Sequence, residues 1–407
     1  MNKLAEPEAR RLFEDRAAKG FTVVQALVFR DLFEPNTPNV AGIRPFASDA
    51  DMWAAKLNPL WIESVVRITR MAAEYGLTMG WLPTWGDKWN EHSNSAGPVI
   101  MDASSARTYC RVLSDALADC ENVIWILGGD SPLRTQAEAN TVRAMGAGIR
   151  DGGSADRLIS FHPAGDASSA IFHSESWLSF NALQSGHARL NSPNYEVIDQ
   201  LYRLTPHKPC LDMEPNYEGM PVALDGQDGI DPEQRALFND YDVRRSFYRS
   251  VLAGAAGFTY GCEPIRQIYR EGDRSHAWDG AGMPTWSESL SAPGSSQLNL
   301  LKKTLLQRSY FTRLPAQQLL RSPDGKADRV AHVSVARCRK GSYILVYAPI
   351  RQMLAIDTSG MEARRLRVTV YDPEACRRSR SWEMDNEGVL HHIPGRQLDS
   401  FIVIDAI

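Results

Sequence analysis

The chain has 407 residues, 43% of them hydrophobic and 23% charged, with a formal net charge of -4. This composition supports a substantial core, and the lack of a long basic run argues against nucleic acid as a partner. No apolar stretch reaches the length of a membrane span, and the charged N-terminus MNKLAEPEARRLFEDRAAKG reads as a helix rather than a secretory signal, so a cytoplasmic protein without a membrane partner is expected. The six cysteines (Cys110, Cys120, Cys210, Cys262, Cys338, Cys376) are scattered without a CxxC pair, which predicts buried thiols rather than a disulfide framework.

After the N-terminal helix, short apolar runs alternate with helix-period segments. FTVVQALVF (21–29) predicts a strand, LWIESVVRITRMAAEYG (60–76) a helix, LTMGWLPTW (77–85) a strand and ARTYCRVLSDALADC (106–120) a helix. VIWILGGD (123–130), LISFHP (158–163) and FNALQSGH (180–187) continue the strands, and PNYEVIDQLYRL (193–204) returns to helix. KPCLDMEP (208–215), the helix DVRRSFYRSVLAGAAG (242–257) and the strand GFTYGCE (257–263) complete the series. Helices between near-continuous apolar strands predict a parallel sheet covered on both faces. A last helix (295–314) precedes a change of texture. From about 320 the runs VAHVSVARC, GSYILVYAP, RRLRVTVYDP and SFIVIDAI alternate, separated by RKG, DTSG and DNEG, which is turn chemistry. The expected organisation is an α/β catalytic domain over 1–315 and a small antiparallel β-sandwich over 316–407, docked through apolar side chains.

No GxGxxG follows the first strand, which argues against a doubly wound nucleotide fold. Polar or aromatic groups instead close nearly every strand: Gln25, Trp85 with Asp87 and Lys88, Asp130, His162, Gln184 with His187, Glu214, and Tyr260. In a (β/α)₈ barrel all strand ends converge on the face that carries the chemistry, so a TIM-type barrel is predicted. Seven strands are legible where such a barrel has eight, and the chain opens on a helix as though its first strand were missing. A barrel so opened would expose strand edges, which recruit another segment or a second copy, so a homo-oligomer is one expected outcome.

Asp130 and Glu214 form the sharpest candidate pair. Two carboxylates facing across a sugar pocket are what glycoside hydrolysis requires, one protonating the leaving oxygen and the other attacking the anomeric carbon or activating water. The plainer alternatives stay open: Asp130 capping the following turn, Glu214 paired with an arginine. The two glycines before Asp130 are expected to leave room for a sugar. Asp212, on the same strand face as Glu214, reads as a buried aspartate paired with Lys or Arg. Trp85 suits the C–H face of a sugar, and Asp87 and Lys88 can hold hydroxyls. His162, Gln184 and His187 lean towards ligand contact. Tyr217 and Tyr260 are candidate neighbours of Glu214, and the aromatic run 264–294, with Trp278 and Trp286, is a candidate pocket wall. Neither HxH, HExxH nor a Cys/His cluster occurs, DGQDGID (225–231) lacks EF-hand spacing, and GxSxG is absent, so neither metal nor cofactor is expected.

The motifs RAAKGFTVVQ, LPTWGDK, NVIWILGGD, FHP, FNALQSGH, LDMEPNYE and YDVRRSFYRSVLAGAAGFTYG resemble, in order, the apiosidase-like glycoside hydrolases of family 140, over about residues 11–315. The C-terminal stretch resembles the small β-sandwich that follows the barrel there, sometimes labelled collagen-binding, although it shows no basic stripe or aromatic row suited to collagen. The resemblance implies a (β/α)₈ barrel acting on glycans, with the catalytic pair mapping onto Asp130 and Glu214, and removal of terminal apiose, a branched furanose, from pectic side chains. Members usually begin with a strand ending in Asp-Thr-Ala-Trp, which this chain lacks. The expected function is therefore an exo-acting glycosidase on a terminal furanoside of a plant or microbial glycan, its partner an oligosaccharide or glycoside substrate. The alternatives are a catalytically impaired carbohydrate-binding protein and a metal-dependent sugar isomerase or lyase.

Overall fold

The computed structural model describes residues 2–29, 36–93, 97–223, 235–273, 283–324 and 329–407. Trp278 and the segment DGQDGID (225–231) lie outside the described residues. The chain divides into two compact units, Met1–Gln184 and Ser185–Ile407.

The first unit follows from local capping and periodicity. Its helices are α1 (Glu6–Ala18), the short α2 (Asp49–Trp53), α3 (Pro59–Glu74), α4 (Ala103–Ala116) and α5 (Gln136–Asp151). Asn58 caps α3 by accepting the Leu60 N–H, with Pro59 pre-set at the first helical position. Reciprocal capping boxes start α4 (Asp102 with Ser105) and α5 (Thr135 with Glu138). The apolar stripe of α3, including Trp61, Val65 and Met71, is buried, and Trp61 donates its indole N–H to the Val28 carbonyl at 3.0 Å. Strands β1 (Val23–Leu27), β2 (Thr78–Leu82), β3 (Val123–Gly128) and β4 (Leu158–His162) form a parallel sheet in that order, registered at Val23↔Thr78, Met79↔Val123 and Ile124↔Leu158. Strand β1 is one edge of this sheet and is only half-buried, whereas β3 is almost wholly enclosed. A short β5 (Asn181–Leu183) closes the unit.

In the second unit, α6 (Asn194–Tyr202), β6 (Cys210–Asp212), α7 (Asp240–Leu252) and β7 (Gly257–Phe258) continue the alternation, β6 pairing parallel with β7. Among the described residues, seven core strands occupy the seven predicted places, each shorter than its sequence run. The helix predicted over 295–314 is instead α9 (Gly294–Gln297) and α10 (Asn299–Leu306), after a short α8 (Glu263–Gln267). The chain then turns into strand β8 (Arg313–Pro315), which pairs with β9 (Ser334–Cys338) on the edge of a sheet, where Pro315 removes no central ladder bond.

That sheet is antiparallel and six-stranded. With β10 (Tyr343–Ala348), β12 (Arg365–Asp372), β13 (Arg377–Asp385) and β15 (Ser400–Ala406), its order is β13-β12-β15-β10-β9-β8. Strands β11 (Leu354–Asp357) and β14 (Val389–His392) pair separately, and Leu354, Ile356 and Leu390 share an apolar core with Val335, Ile344, Val346, Val368 and Ile402 of the larger sheet. The other face of the larger sheet packs Leu345, Tyr347, Phe401 and Val403 against Val243, Tyr248, Val251 and Leu252 of α7. Helix α7 is buried from Asp242 to Leu252 although it carries three arginines, and each of these is matched. Arg244 meets Asp399, Arg245 meets Asp242 at 2.8 Å, and Arg249 donates to the Val330 carbonyl at 2.9 Å. The six cysteines form no disulfide, and Cys376 alone among them is exposed.

Candidate active site

In the first unit, the turn after β3 joins the ends of β2 and β4. Gly128, Gly129 and Asp130 all have positive φ (93°, 109° and 44°). Glycine adopts that region freely, whereas a non-glycine residue there is uncommon and marks a position the surroundings over-determine. A Cβ on Gly128 would stand 2.6 Å from the His162 carbonyl oxygen, and one on Gly129 would stand 2.9 Å from the Trp85 ring. The room expected for a sugar at these glycines is taken by protein: they let three strand ends approach one another. Asp130 emerges from the turn half-buried.

Around this turn, the Trp85 and His162 rings lie 5.5 Å apart, tilted by 57°. His162 is fully buried, and its Nδ1 lies 3.0 Å from the Pro163 carbonyl, so Nδ1–H is the donor. Asp87 and Lys88 have wholly enclosed side chains that pair with each other at 3.0 Å. Gly86 holds this loop to the turn through its N–H to the Gly129 carbonyl, at 3.0 Å. Gln184 is buried, and its backbone N–H donates to the Ala167 carbonyl at 3.1 Å.

In the second unit, Glu214 stands just past β6, 8% exposed. Its Oε1 is 3.1 Å from His187 Nε2, and its carbonyl accepts the Gly186 N–H at 2.9 Å. The Tyr217 ring packs on His187 with centroids 4.6 Å apart. The Tyr260 hydroxyl donates to a different carboxylate, Glu218, at 2.7 Å, and the Gly294 N–H donates to the same Oε2 at 3.1 Å. Trp286 is buried, its backbone N–H on the Tyr269 carbonyl at 2.9 Å.

Asp212 does not have the cationic partner expected for it. It accepts from the Ser185 hydroxyl at 2.8 Å, from the Ser185 N–H at 3.3 Å and from the Asn194 amide at 3.0 Å. Burial pushes its carboxyl up to about 6, against the opposing pull of these donors and of His187. Glu263 is the contrasting case. Burial acts to raise its carboxyl, but the Arg266 guanidinium and the Gln267 amide outweigh it and hold the group below the ordinary carboxylate range.

Residues 1–312 match the model of the family described as "Apiosidase-like, catalytic domain". The chain belongs to the apiosidase-like family. Membership makes it a glycoside hydrolase, and the likeness to solved structures agrees. A glycoside hydrolase structure superposes with a TM-score of 0.87 at 25% identity, covering 99% of this chain and 90% of that one. A family 5 glycoside hydrolase from Bacteroides vulgatus also reaches 0.87 at 24% identity, covering 99% and 86%. A family 5 enzyme from Streptomyces cattleya in complex with Manβ1-4GlcNAc reaches 0.50 at 16% identity, covering 74% and 76%. These likenesses carry the fold class: the parallel-strand α/β core of (β/α)₈ glycoside hydrolases, followed by an antiparallel sheet domain. No curated protein matches the chain.

Within the apiosidase-like domain, Glu218 and Glu263 were not singled out by sequence. A signal existed in EPNYEG and GCEPIR, where an acidic residue again follows a core strand after a short polar gap. Asn216, between Glu214 and Glu218, is buried, its Oδ1 accepting from the Ser246 hydroxyl at 2.5 Å. A concavity of about 460 Å³ in the first unit is lined by α1 and α3 residues, including Arg10, Glu63, Arg67 and Glu74, with Ala116 of α4, and by none of the strand-end residues above. Lacking the residue types of glycoside chemistry at a strand end, it is not the active-site candidate. Among the described residues, no group of three or more His, Cys, Asp or Glu is placed to hold a metal, and no helix is long and apolar enough to cross a membrane.

Proposed function

We propose that this apiosidase-like protein is an exo-acting glycosidase that removes a terminal furanosidic sugar, apiose-like, from a plant or microbial glycan, with Asp130 as general acid/base and Glu214 as nucleophile. The observation that carries the reading is the environment of Glu214. A carboxylate just past a core strand is almost enclosed, and its Oε1 lies 3.1 Å from the His187 imidazole. Such a contact orients the carboxylate oxygen that would attack the anomeric carbon. Asp130, half-buried on a turn of enforced left-handed geometry, supplies the second carboxyl.

In the proposed reaction, Glu214 forms a bond to the anomeric carbon while the glycosidic C–O bond breaks and the Asp130 proton passes to the departing oxygen. Water then attacks the same carbon, giving its proton to Asp130 and releasing Glu214. Trp85 offers a ring face to the sugar, with His162, Gln184, His187 and Tyr217 as further contacts. Asp87 and Lys88, paired with each other, fix the loop that carries Trp85. The catalytic domain is taken as 1–315 and the C-terminal β-sandwich as 316–407.

The test is a panel of aryl furanosides and aryl pyranosides offered to the purified protein with and without EDTA. Turnover of an aryl apiofuranoside that is insensitive to EDTA supports the reading. Turnover of pyranosides alone would sink the furanose assignment, and loss of activity in EDTA would sink the two-carboxylate mechanism.

A further inference from the structure

Asp212 ends β6 and Glu214 follows two residues on, and both grip the segment Ser185–Gly186–His187. The Ser185 N–H and hydroxyl donate to Asp212 at 3.3 and 2.8 Å. The Gly186 N–H donates to the Glu214 carbonyl at 2.9 Å, and His187 Nε2 reaches Glu214 Oε1 at 3.1 Å. Gly186 has φ of 66°, the left-handed conformation that turns the chain between the held serine and the delivered histidine. From the other side, the Asn194 amide donates both to Asp212 Oδ2 and to the Ser246 carbonyl, at 3.0 and 2.9 Å.

All three groups that meet Asp212 are donors, so the position calls for a residue that only accepts. An asparagine would turn an NH₂ towards at least one of them, and the mismatch would fall on the Ser185 or Asn194 contact. The group is fully buried with a hydroxyl, an amide and a peptide N–H as its hydrogen-bond partners. A carboxylate in such a place is costly, and its free energy is recovered where it fixes a geometry that an apolar or amide side chain would not.

We propose that Asp212 is a positioning residue, which anchors Ser185 so that the turn at Gly186 presents His187 Nε2 to the Glu214 carboxylate. This rests on the reading of Glu214 as a catalytic residue.

The test compares Asp212→Asn, Ser185→Ala, His187→Ala and Glu214→Gln in the full chain, with kcat and KM measured separately on the aryl glycoside that is turned over. An ångström-scale misplacement of a catalytic group costs up to about 100-fold in rate, so Asp212→Asn is expected to lower kcat by at least about tenfold with KM within about twofold. Ser185→Ala is expected to lower kcat in the same direction by less. Asp212→Asn is expected to add little to His187→Ala, and to move the His187 ring resonances in an NMR spectrum of the folded protein. Wild-type kcat in Asp212→Asn, full additivity with His187→Ala, or unmoved His187 resonances would overturn the proposal. Should Asp212→Asn not fold, an unchanged kcat in Ser185→Ala overturns it equally. An active Glu214→Gln would instead refute the catalytic reading underneath, whereas an inactive Glu214→Gln with a normal Asp212→Asn refutes the positioning role alone.

Discussion

Arg244 on α7 places its Nε 2.8 Å from Oδ2 of Asp399, and both side chains are 1% exposed. The Tyr347 hydroxyl donates to the same oxygen at 2.8 Å, and Gln297 Oε1 accepts from Arg244 Nη1 at 2.5 Å. This network carries polar groups through an otherwise apolar contact between α7 and the antiparallel sheet. Removing one partner strands a buried charge, so Arg244→Met is expected to cost about 3–5 kcal/mol in chemical denaturation. Arg244→Met combined with Asp399→Leu removes both charges and is expected to recover much of the loss. A double variant as unstable as the single one would show that the network, rather than its charge balance, holds the contact.

The loop of Trp85 and the turn of Asp130 touch at Gly86. A Cβ there would fall 1.8 Å from Ser131 Oγ and 2.5 Å from the Gly129 carbonyl oxygen. The hydroxyl can move, but the carbonyl is backbone. Gly86→Ala is therefore expected to destabilise the first unit by about 1–3 kcal/mol and to reduce kcat more than stability alone explains. Thermal unfolding and kinetics on the same preparation check this, and removing the Ser131 hydroxyl as well should not restore activity.

Asp212 carries a pH signature opposite to that of a salt-bridged carboxylate. Its carboxyl is near 6 in the folded protein against an ordinary 3.8. Between those values the folded state binds the extra proton, so this group's contribution to stability is fullest below about pH 4 and is lost as pH rises through 6. The stability of the wild-type chain relative to Asp212→Asn is expected to improve by on the order of 3 kcal/mol between pH 7 and pH 4. Denaturation midpoints of the two proteins across that range measure it. A flat difference would show that Asp212 is not protonated in this window.

Asp130→Asn and Glu214→Gln test the chemistry directly. Loss of general acid/base assistance is expected to lower kcat by about 10²–10⁴-fold in Asp130→Asn, with unfolding transitions close to wild type. Glu214→Gln is expected to fall at least as far, and NMR of the released sugar's anomer distinguishes retention from inversion. Near-wild-type turnover in either variant removes that residue from the mechanism.

What the sequence by itself determined were the features written in neighbouring residues. The seven core strands and the helices α3, α4, α6 and α7 sit where apolar period and caps such as Asn58, Asp102 and Asn239 place them. The placement of Asp130 and Glu214 just beyond strands was legible for the same reason, since a polar residue ending an apolar run is a local signal. Tertiary structure decided the pairings. Nothing near Asp212 in the chain indicates that its donors come from Ser185 and Asn194 rather than from a lysine or arginine. Tyr260 serves Glu218, and Asp87 turns to Lys88, because hydrogen-bond partners are chosen by distance in space. Strand β13, RRSRSWEMD, escaped notice because an exposed edge strand has only its neighbour β12 to satisfy and carries little apolar alternation. The buried α7, with Arg244, Arg245 and Arg249, reads as a surface helix until the acceptors around it are seen. Local periodicity encodes which face of an element seeks burial, and only the assembled neighbours decide whether a charge on that element can follow it inside.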